Sequence, residues 1–170
     1  MKQTLIILRG APCSGKSTIG EQLRDFDSKI VWLHTDAYKS FFSNPNEDRI
    51  LDDVMDACIV TLSNLLDKGF SVVYEGIFKK QEYILKAIQL AKGKNISVAT
   101  YHLACSLGTL QKRDVDRKGV KEGCRKPLGE EIIESLFNKV QENPINEAIT
   151  LNTEDKTLEE CVELIKKNFD

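Results

Sequence analysis

One segment near the amino terminus has the residue types and the spacing that bind phosphate. It reads Gly10-Ala11-Pro12-Cys13-Ser14-Gly15-Lys16-Ser17, and it matches G-x-x-x-x-G-K-S/T at every fixed position, with Thr18 next in the chain. In this pattern backbone N–H groups surround the phosphate oxygens, glycines permit the close approach, and a following helix N-terminus adds partial positive charge. The lysine contacts the outer phosphates and the serine hydroxyl ligates magnesium. We therefore predict that residues 10–18 bind ATP or GTP with Mg²⁺.

Two acidic residues stand where strands of the predicted sheet end. Asp36 comes just after the second apolar segment, where it could accept the proton of an attacking hydroxyl or help to hold magnesium. The alternative for Asp36 is a helix N-cap for residues 37–42. Glu75 ends the third apolar segment and could bind magnesium or orient a substrate, and its alternative is a solvent-exposed acid at the start of a loop.

Four other side chains near Asp36 have two interpretations each. His34 could contact a substrate or could simply be a surface histidine. Tyr38, Phe41 and Phe42 could line an acceptor pocket, but their residue types favour core packing.

A basic segment follows later in the chain. Residues 112–126 contain seven basic residues, Lys112, Arg113, Arg117, Lys118, Lys121, Arg125 and Lys126, against three acidic ones. Arg113 and Arg117 are four apart, which predicts one helix face, and Gly119 and Gly123 break the helical pattern. We interpret residues 112–128 as a lid whose arginines neutralise phosphoryl charge and which excludes water; the alternative is a solvated charged face.

The elements that must position these residues alternate along the chain. Apolar segments at 4–9, 30–33, 71–75, 96–103 and 148–151 predict strands, and helical spacing predicts helices at 15–24, 47–68, 80–92, 106–118 and 129–142. A last helix begins at the capping box Thr157-x-x-Glu160, with Leu158, Val162, Ile165 and Phe169 directed inward. This order predicts an α/β fold with a parallel sheet covered on both faces, in one domain spanning residues 1–170.

Bulk properties narrow the function classes. The net charge of −2 argues against broad, charge-driven binding to nucleic acid or membrane, and no apolar run is long enough for a spanning helix. The start of the chain lacks the features of a signal peptide, so we expect a cytoplasmic protein. Five cysteines without a C-x-x-C spacing, and only two histidines, make a disulfide framework or a zinc site improbable.

The motifs together resemble a known family. The segment 10–18, Asp36, Glu75-Gly76, Arg113-x-x-x-Arg117 and Leu151-Asn152-Thr153 before the last helix look like the small P-loop kinases, closest to the group of zeta-toxin-like kinases, chloramphenicol phosphotransferase and the kinase domain of polynucleotide kinase. The resemblance implies a three-layer P-loop NTPase fold, a five-stranded parallel sheet in the order 2-3-1-4-5, and the use of ATP with Mg²⁺. It also implies that Asp36 is the general base and that Arg113 and Arg117 bind phosphates or lie near the adenine.

The sequence departs from that pattern at three positions. Arg9 stands where an apolar residue is usual, and Glu75 stands where many members have aspartate. Polynucleotide kinases usually carry an arginine soon after the catalytic aspartate, whereas this chain has only Lys39 there. The third departure weakens the case for a nucleic-acid acceptor.

The resulting hypothesis is an ATP-dependent kinase that phosphorylates a hydroxyl of a small molecule, with Lys16, Asp36, Arg113 and Arg117 as catalytic residues and Ser17 and Glu75 at the metal. A polynucleotide 5′-hydroxyl kinase is the alternative within the same chemistry. A nucleotide-dependent switch or a non-catalytic nucleotide binder is the alternative from another class, because residues 152–155 faintly resemble the guanine-reading N-K-x-D without its lysine. The sequence predicts neither the acceptor nor the oligomeric state.

Overall fold

Five parallel strands form the centre of the protein. The computed structural model describes residues 1–43, 47–117 and 127–170. The strands are β1 (Thr4–Arg9), β2 (Ile30–His34), β3 (Ser71–Gly76), β4 (Ser97–Ala104) and β5 (Ile149–Asn152), in the order β2-β3-β1-β4-β5. Every pairing is parallel. The order is the one that the resemblance implies, so that prediction is confirmed.

Helices connect the strands. They are α1 (Lys16–Phe26), α2 (Thr35–Lys39), α3 (Asp48–Asp67), α4 (Gln81–Gly93), α5 (Leu107–Val115), α6 (Glu130–Glu142) and α7 (Leu158–Lys166), and a 3-10 turn at Lys167–Phe169 follows α7. In the parts of the chain that the structure describes, no helix is both long and apolar enough to cross a bilayer. The predicted capping box is confirmed, because Thr157 and Glu160 each accept a hydrogen bond from the other's backbone N–H.

The helix predicted at 106–118 is shorter than expected. It ends at Val115, and the Arg117 N–H donates to Asp114 O at 3.2 Å in an i→i−3 bond that turns the chain away from the helix axis. The prediction that Arg113 and Arg117 lie on one helix face is therefore wrong, since only Arg113 belongs to α5. Most of the predicted lid, residues 118–126, lies outside the described residues.

The two faces of the sheet each carry a hydrophobic core. Strand β1 is completely buried, and its alternating side chains serve both cores. Leu5 and Ile7 pack with α3 and α4, whereas Ile6 and Leu8 pack with α1 and α7. This division explains why β1 is apolar at successive positions, and it confirms the prediction of helices on both faces.

Arg9, the unusual charged residue at the end of β1, is only 1 % exposed. One guanidinium nitrogen donates to Val140 O at 3.1 Å, in the last turn of α6, while the Nε atom has no hydrogen-bond partner in the described part of the chain. Burial lowers the pKa of Arg9. The contact places a positive charge at the negative end of the helix dipole, so Arg9 connects α6 to the strand that leads into the phosphate loop.

Strand register brings the candidate site residues to one edge of the sheet. Arg9 pairs with Gly76 of β3 and with His102 of β4, and His34 at the end of β2 pairs with Glu75. Because the strands are parallel, their carboxyl ends and the loops that follow them meet above this edge.

Candidate active site

The loop between β1 and α1 has the backbone shape of an anion cradle. Cys13 and Gly15 both have positive φ angles, 66° and 93°. Helix α1 begins at Lys16, and no side chain caps its first turn, so the amide groups there remain available for a ligand. A Cβ on Gly10 would lie 2.6 Å from Ser14 Oγ and 2.8 Å from Leu103 O, so only glycine fits this position.

Lys16 folds back over this loop. Its Nζ donates to Ala11 O at 2.8 Å, and the residue is 6 % exposed. Burial lowers the pKa of Lys16, and the carboxylates of Glu75 and Asp36 oppose that change. The buried Ser14 hydroxyl has no hydrogen-bond partner among the residues that the structure describes. A bound polyphosphate would accept hydrogen bonds from the buried Lys16 ammonium, from the Ser14 hydroxyl and from the amides at the start of α1. The residues present therefore fit the predicted nucleotide.

Glu75 and Ser17, the two predicted metal ligands, are in direct contact. The Ser17 hydroxyl donates to Glu75 Oε1 at 2.9 Å, and Trp32 Nε1 donates to Oε2 at 2.9 Å. Glu75 is 4 % exposed, so its alternative as a solvent-exposed acid is wrong. Within the described residues no group of three or more His, Cys, Asp or Glu side chains could hold a metal. Mg²⁺ commonly uses one or two protein oxygens together with substrate phosphates, so the predicted pair has the oxygen donors that such a site would need.

Asp36 lies near enough to Lys16 for its charge to raise the pKa of that lysine. It belongs to the first turn of α2, which begins at Thr35 with His34 in the N-cap position, so Asp36 does not cap a helix at 37–42. Its side chain is 36 % exposed, and Oδ1 lies 3.2 Å from the Lys39 ammonium.

The structure shows where the four other side chains near Asp36 lie. His34 stacks on Trp32 with 4.5 Å between ring centroids. The Tyr38 hydroxyl donates to Thr61 Oγ1 at 2.7 Å, and both Tyr38 and Phe42 pack against the core as predicted. Phe41 is 77 % exposed, so the prediction of core packing is wrong for that residue.

Arg113 joins the phosphate loop to the turn after β5. Its guanidinium donates to Thr153 O at 2.8 Å, to Thr153 Oγ1 at 3.2 Å and to Cys13 O at 3.4 Å. The Thr153 N–H in turn donates to Ala104 O at 2.9 Å, which fixes this turn beside β4. Arg113 therefore lies on the β4–β5 side of the phosphate loop, opposite Asp36.

Asp114, the next residue, is a buried carboxylate at the centre of a second network. Its Oδ2 accepts from the N–H groups of Leu128 and Gly129 at 2.8 and 2.9 Å, and its Oδ1 accepts from the Cys13 thiol at 3.5 Å. Arg117 lies 3.7 Å from the same Oδ1. Burial raises the pKa of Cys13 to about 11; the Asp114 charge adds to this rise and the Arg117 charge opposes it.

The predicted residues thus form two groups around the loop. Lys16, Ser17, Glu75 and Asp36 meet on the β2–β3 side, and Arg113 and Arg117 lie on the β4–β5 side. Sequence reasoning missed two residues that position them. From the sequence, Trp32 looks like an ordinary strand residue and Asp114 like an acid within a basic segment. The position of Asp114 between Arg113 and Arg117 is the one feature that could have indicated its role.

The loop, the sheet order and the helices on both faces define this chain as a protein with the P-loop kinase fold. A family model described as an AAA domain (AAA_33) matches residues 5–142, and the chain belongs to that family. The resemblance to small P-loop kinases is thereby confirmed. No curated protein matches the sequence.

Solved structures share the fold at low sequence identity. A sugar kinase from Janibacter sp. HTCC2649 has a TM-score of 0.72 and 18 % identity, covering 98 % of this chain and 94 % of the other. A gluconokinase from Sinorhizobium meliloti 1021 has a TM-score of 0.69 and 17 % identity, covering 98 % and 91 %. The APS kinase from Mycobacterium tuberculosis, in complex with AMPPNP and APS, has a TM-score of 0.70 and 15 % identity, covering 98 % and 97 %.

Proposed function

We propose that this protein is an ATP-dependent kinase that transfers the γ-phosphoryl group to a hydroxyl of a small molecule. The observation that carries the proposal is the position of Asp36, a partly exposed carboxylate whose charge acts on the buried ammonium of Lys16 in the phosphate loop.

The residues divide the work of transfer between binding and proton movement. The backbone N–H groups of residues 10–15, other than Pro12, and the Lys16 ammonium hold the β- and γ-phosphates, and they stabilise the charge on the oxygens of the transferred group. Ser17 and Glu75 would hold Mg²⁺, which neutralises charge on the phosphate oxygens. Asp36 accepts the proton of the acceptor hydroxyl while the acceptor oxygen bonds to the γ-phosphorus, and the bond from that phosphorus to ADP breaks.

The arginines act from the other side of the loop. Arg113 is held in place by its hydrogen bonds to Thr153 and Cys13. We expect it to form one side of the binding site for the nucleoside part of ATP and not to move during the reaction. Arg117 lies beyond the end of α5, where its guanidinium is 3.7 Å from Asp114 Oδ1, and we expect it to turn toward the transferred phosphate. We propose these as their separate roles.

Several features support a small acceptor. The sugar kinase, the gluconokinase and the APS kinase are named for small-molecule acceptors, and all three are covered nearly end to end by this chain. The net charge of −2 offers no general attraction for a nucleic-acid backbone. A polynucleotide acceptor would require salt-sensitive binding of oligonucleotides, and a filter-binding titration at low salt tests that alternative directly.

Asp36→Asn tests the assignment of the base. We expect phosphoryl transfer to fall by roughly 10²- to 10⁴-fold, because the amide cannot accept the proton, while ATP affinity changes only a few-fold. Asp53→Asn is the matched control, since Asp53 is an exposed acid on α3. Transfer by Asp36→Asn within tenfold of the parent protein would show that Asp36 is not the base.

A further inference from the structure

The indole of Trp32, on β2, contacts the carboxylate of Glu75 near the end of β3. Its Nε1–H donates to Glu75 Oε2 at 2.9 Å, while the Ser17 hydroxyl donates to Oε1 at 2.9 Å. Each oxygen of this carboxylate therefore has its own donor, and the two donors come from different elements, β2 and α1. The proposed transfer chemistry gives Ser17 a role but gives none to Trp32.

Neighbours from α1 and β2 hold the half-buried indole in place. On α1, a Cβ added to Gly20 would lie 2.5 Å from Trp32 Nε1, so the helix backbone packs closely against the donor end of the ring. His34 stacks on the same ring with 4.5 Å between centroids, and the Arg24 guanidinium lies 5.7 Å from the ring centroid. The direction of the indole N–H is therefore fixed by packing, independently of Glu75.

Glu75 depends on such a partner more than an aspartate would. A glutamate side chain has one more rotatable bond than aspartate, so holding its carboxylate in one orientation costs more conformational entropy. Burial lowers the pKa of Lys16 and the Glu75 charge opposes that change, so the two groups interact, while the Lys16 ammonium donates to Ala11 O. A freely turning Glu75 carboxylate could pair with this ammonium and withdraw it from the phosphates. With both oxygens bonded, the carboxylate instead stays beside Ser17.

We propose that Trp32 is a positioning residue for the magnesium site, whose indole N–H holds Glu75 Oε2 so that Oε1 stays directed at Ser17. This inference rests on the proposed role of Ser17 and Glu75 in holding Mg²⁺, and it does not depend on the acceptor. A ligand that is already oriented loses less freedom when the metal binds. Partners that orient metal ligands commonly contribute roughly 10- to 100-fold to metal affinity.

Trp32→Phe tests the proposal, because it keeps an aromatic ring beside His34 and removes the N–H group. Calorimetric titration with a non-hydrolysable ATP analogue, repeated over a range of Mg²⁺ concentrations, gives the Mg²⁺ concentration for half-maximal nucleotide binding without any phosphoryl transfer. We expect that concentration to rise about tenfold in Trp32→Phe. Tyr101→Phe is the matched control, since it also removes one polar group from an aromatic side chain, and the Tyr101 hydroxyl is bonded to Asn168 beyond α7.

The same substitution in a Glu75→Gln background separates positioning from packing. If Trp32 acts through the carboxylate, Trp32→Phe should change the magnesium requirement by less than about twofold once Glu75 is replaced. An equal effect in both backgrounds, or an unchanged magnesium titration in Trp32→Phe alone, would overturn the inference. Gly20→Ala gives a second test that keeps the indole: the new Cβ crowds Nε1, so the magnesium requirement should rise here also. That variant decides the question if Trp32→Phe does not fold.

The results also distinguish this inference from the proposed function. If nucleotide binding by the parent protein does not depend on Mg²⁺, the proposed metal site fails and the role of Trp32 fails with it. If Trp32→Phe raises the magnesium requirement although no acceptor receives phosphate, the kinase proposal fails and Trp32 keeps its positioning role.

Discussion

Removing the Asp114 carboxylate should loosen three parts of the site at once. Asp114→Ala deletes two short hydrogen bonds to the amides of Leu128 and Gly129 and the contact with the Cys13 thiol. Hydrogen bonds to a charged acceptor contribute about 1.5–3 kcal/mol each, but water can reach the exposed Gly129 and offset part of the loss. We therefore expect the free energy of unfolding to fall by about 3 kcal/mol, and Tm to fall by about 6–12 °C.

Urea unfolding followed by circular dichroism measures this change. Asp116→Ala is the control, because Asp116 is exposed and only two residues away, and its effect should stay within about 0.5 kcal/mol. ATP affinity should also weaken in Asp114→Ala, since Cys13 and Arg117 lose their common partner. A loss of stability below about 1 kcal/mol would refute the view that this carboxylate holds the loops together.

Three further predictions concern the metal site, the packing of α1 on β2, and the phosphate loop. Glu75→Gln should raise the Mg²⁺ concentration needed for half-maximal ATP binding by about tenfold, and an unchanged magnesium titration would remove Glu75 from the metal site. Gly20→Ala should cost about 1–3 kcal/mol in urea unfolding, because the new Cβ would lie 2.5 Å from Trp32 Nε1, whereas Gly93→Ala meets open space and should be near neutral. The raised pKa of Cys13, about 11, keeps its thiol protonated at pH 8, so alkylation by iodoacetamide should rise about tenfold per pH unit from 8 to 10. Rapid alkylation of Cys13 at pH 8, followed by peptide mass spectrometry, would contradict that prediction.

Much of this architecture follows from local pattern. The apolar runs of β1 and β3 and the glycine–lysine motif are short-range signals, so the strands, the phosphate loop and the following helix could be predicted together. The end of α5 could not, because the sequence predicts a helix to residue 118, whereas α5 ends at Val115 beside Asp114, whose carboxylate accepts from the N–H groups of Leu128 and Gly129, 14 and 15 residues further along. Local propensity carries no information about such partners.

The candidate site also contains residues that the sequence predicts and residues that it does not. Lys16 and Ser17 follow from the motif, and the approach of Glu75 to Ser17 follows from strand register. The implied strand order places β2 beside β3, but Trp32 was still not predictable as a partner of Glu75, because the register pairs His34 and not Trp32 with Glu75. The role of Arg113 as a bridge to Thr153 likewise depends on a side-chain contact with the turn after β5, which the strand order alone does not give.

Trp32 is the only tryptophan in the chain, and its indole N–H is bonded to the Glu75 carboxylate. Indole emission shifts when that hydrogen bond or the nearby charge changes. The protein therefore contains its own optical probe at the expected magnesium position. Occupancy of the site could be followed in real time by fluorescence, without any added dye.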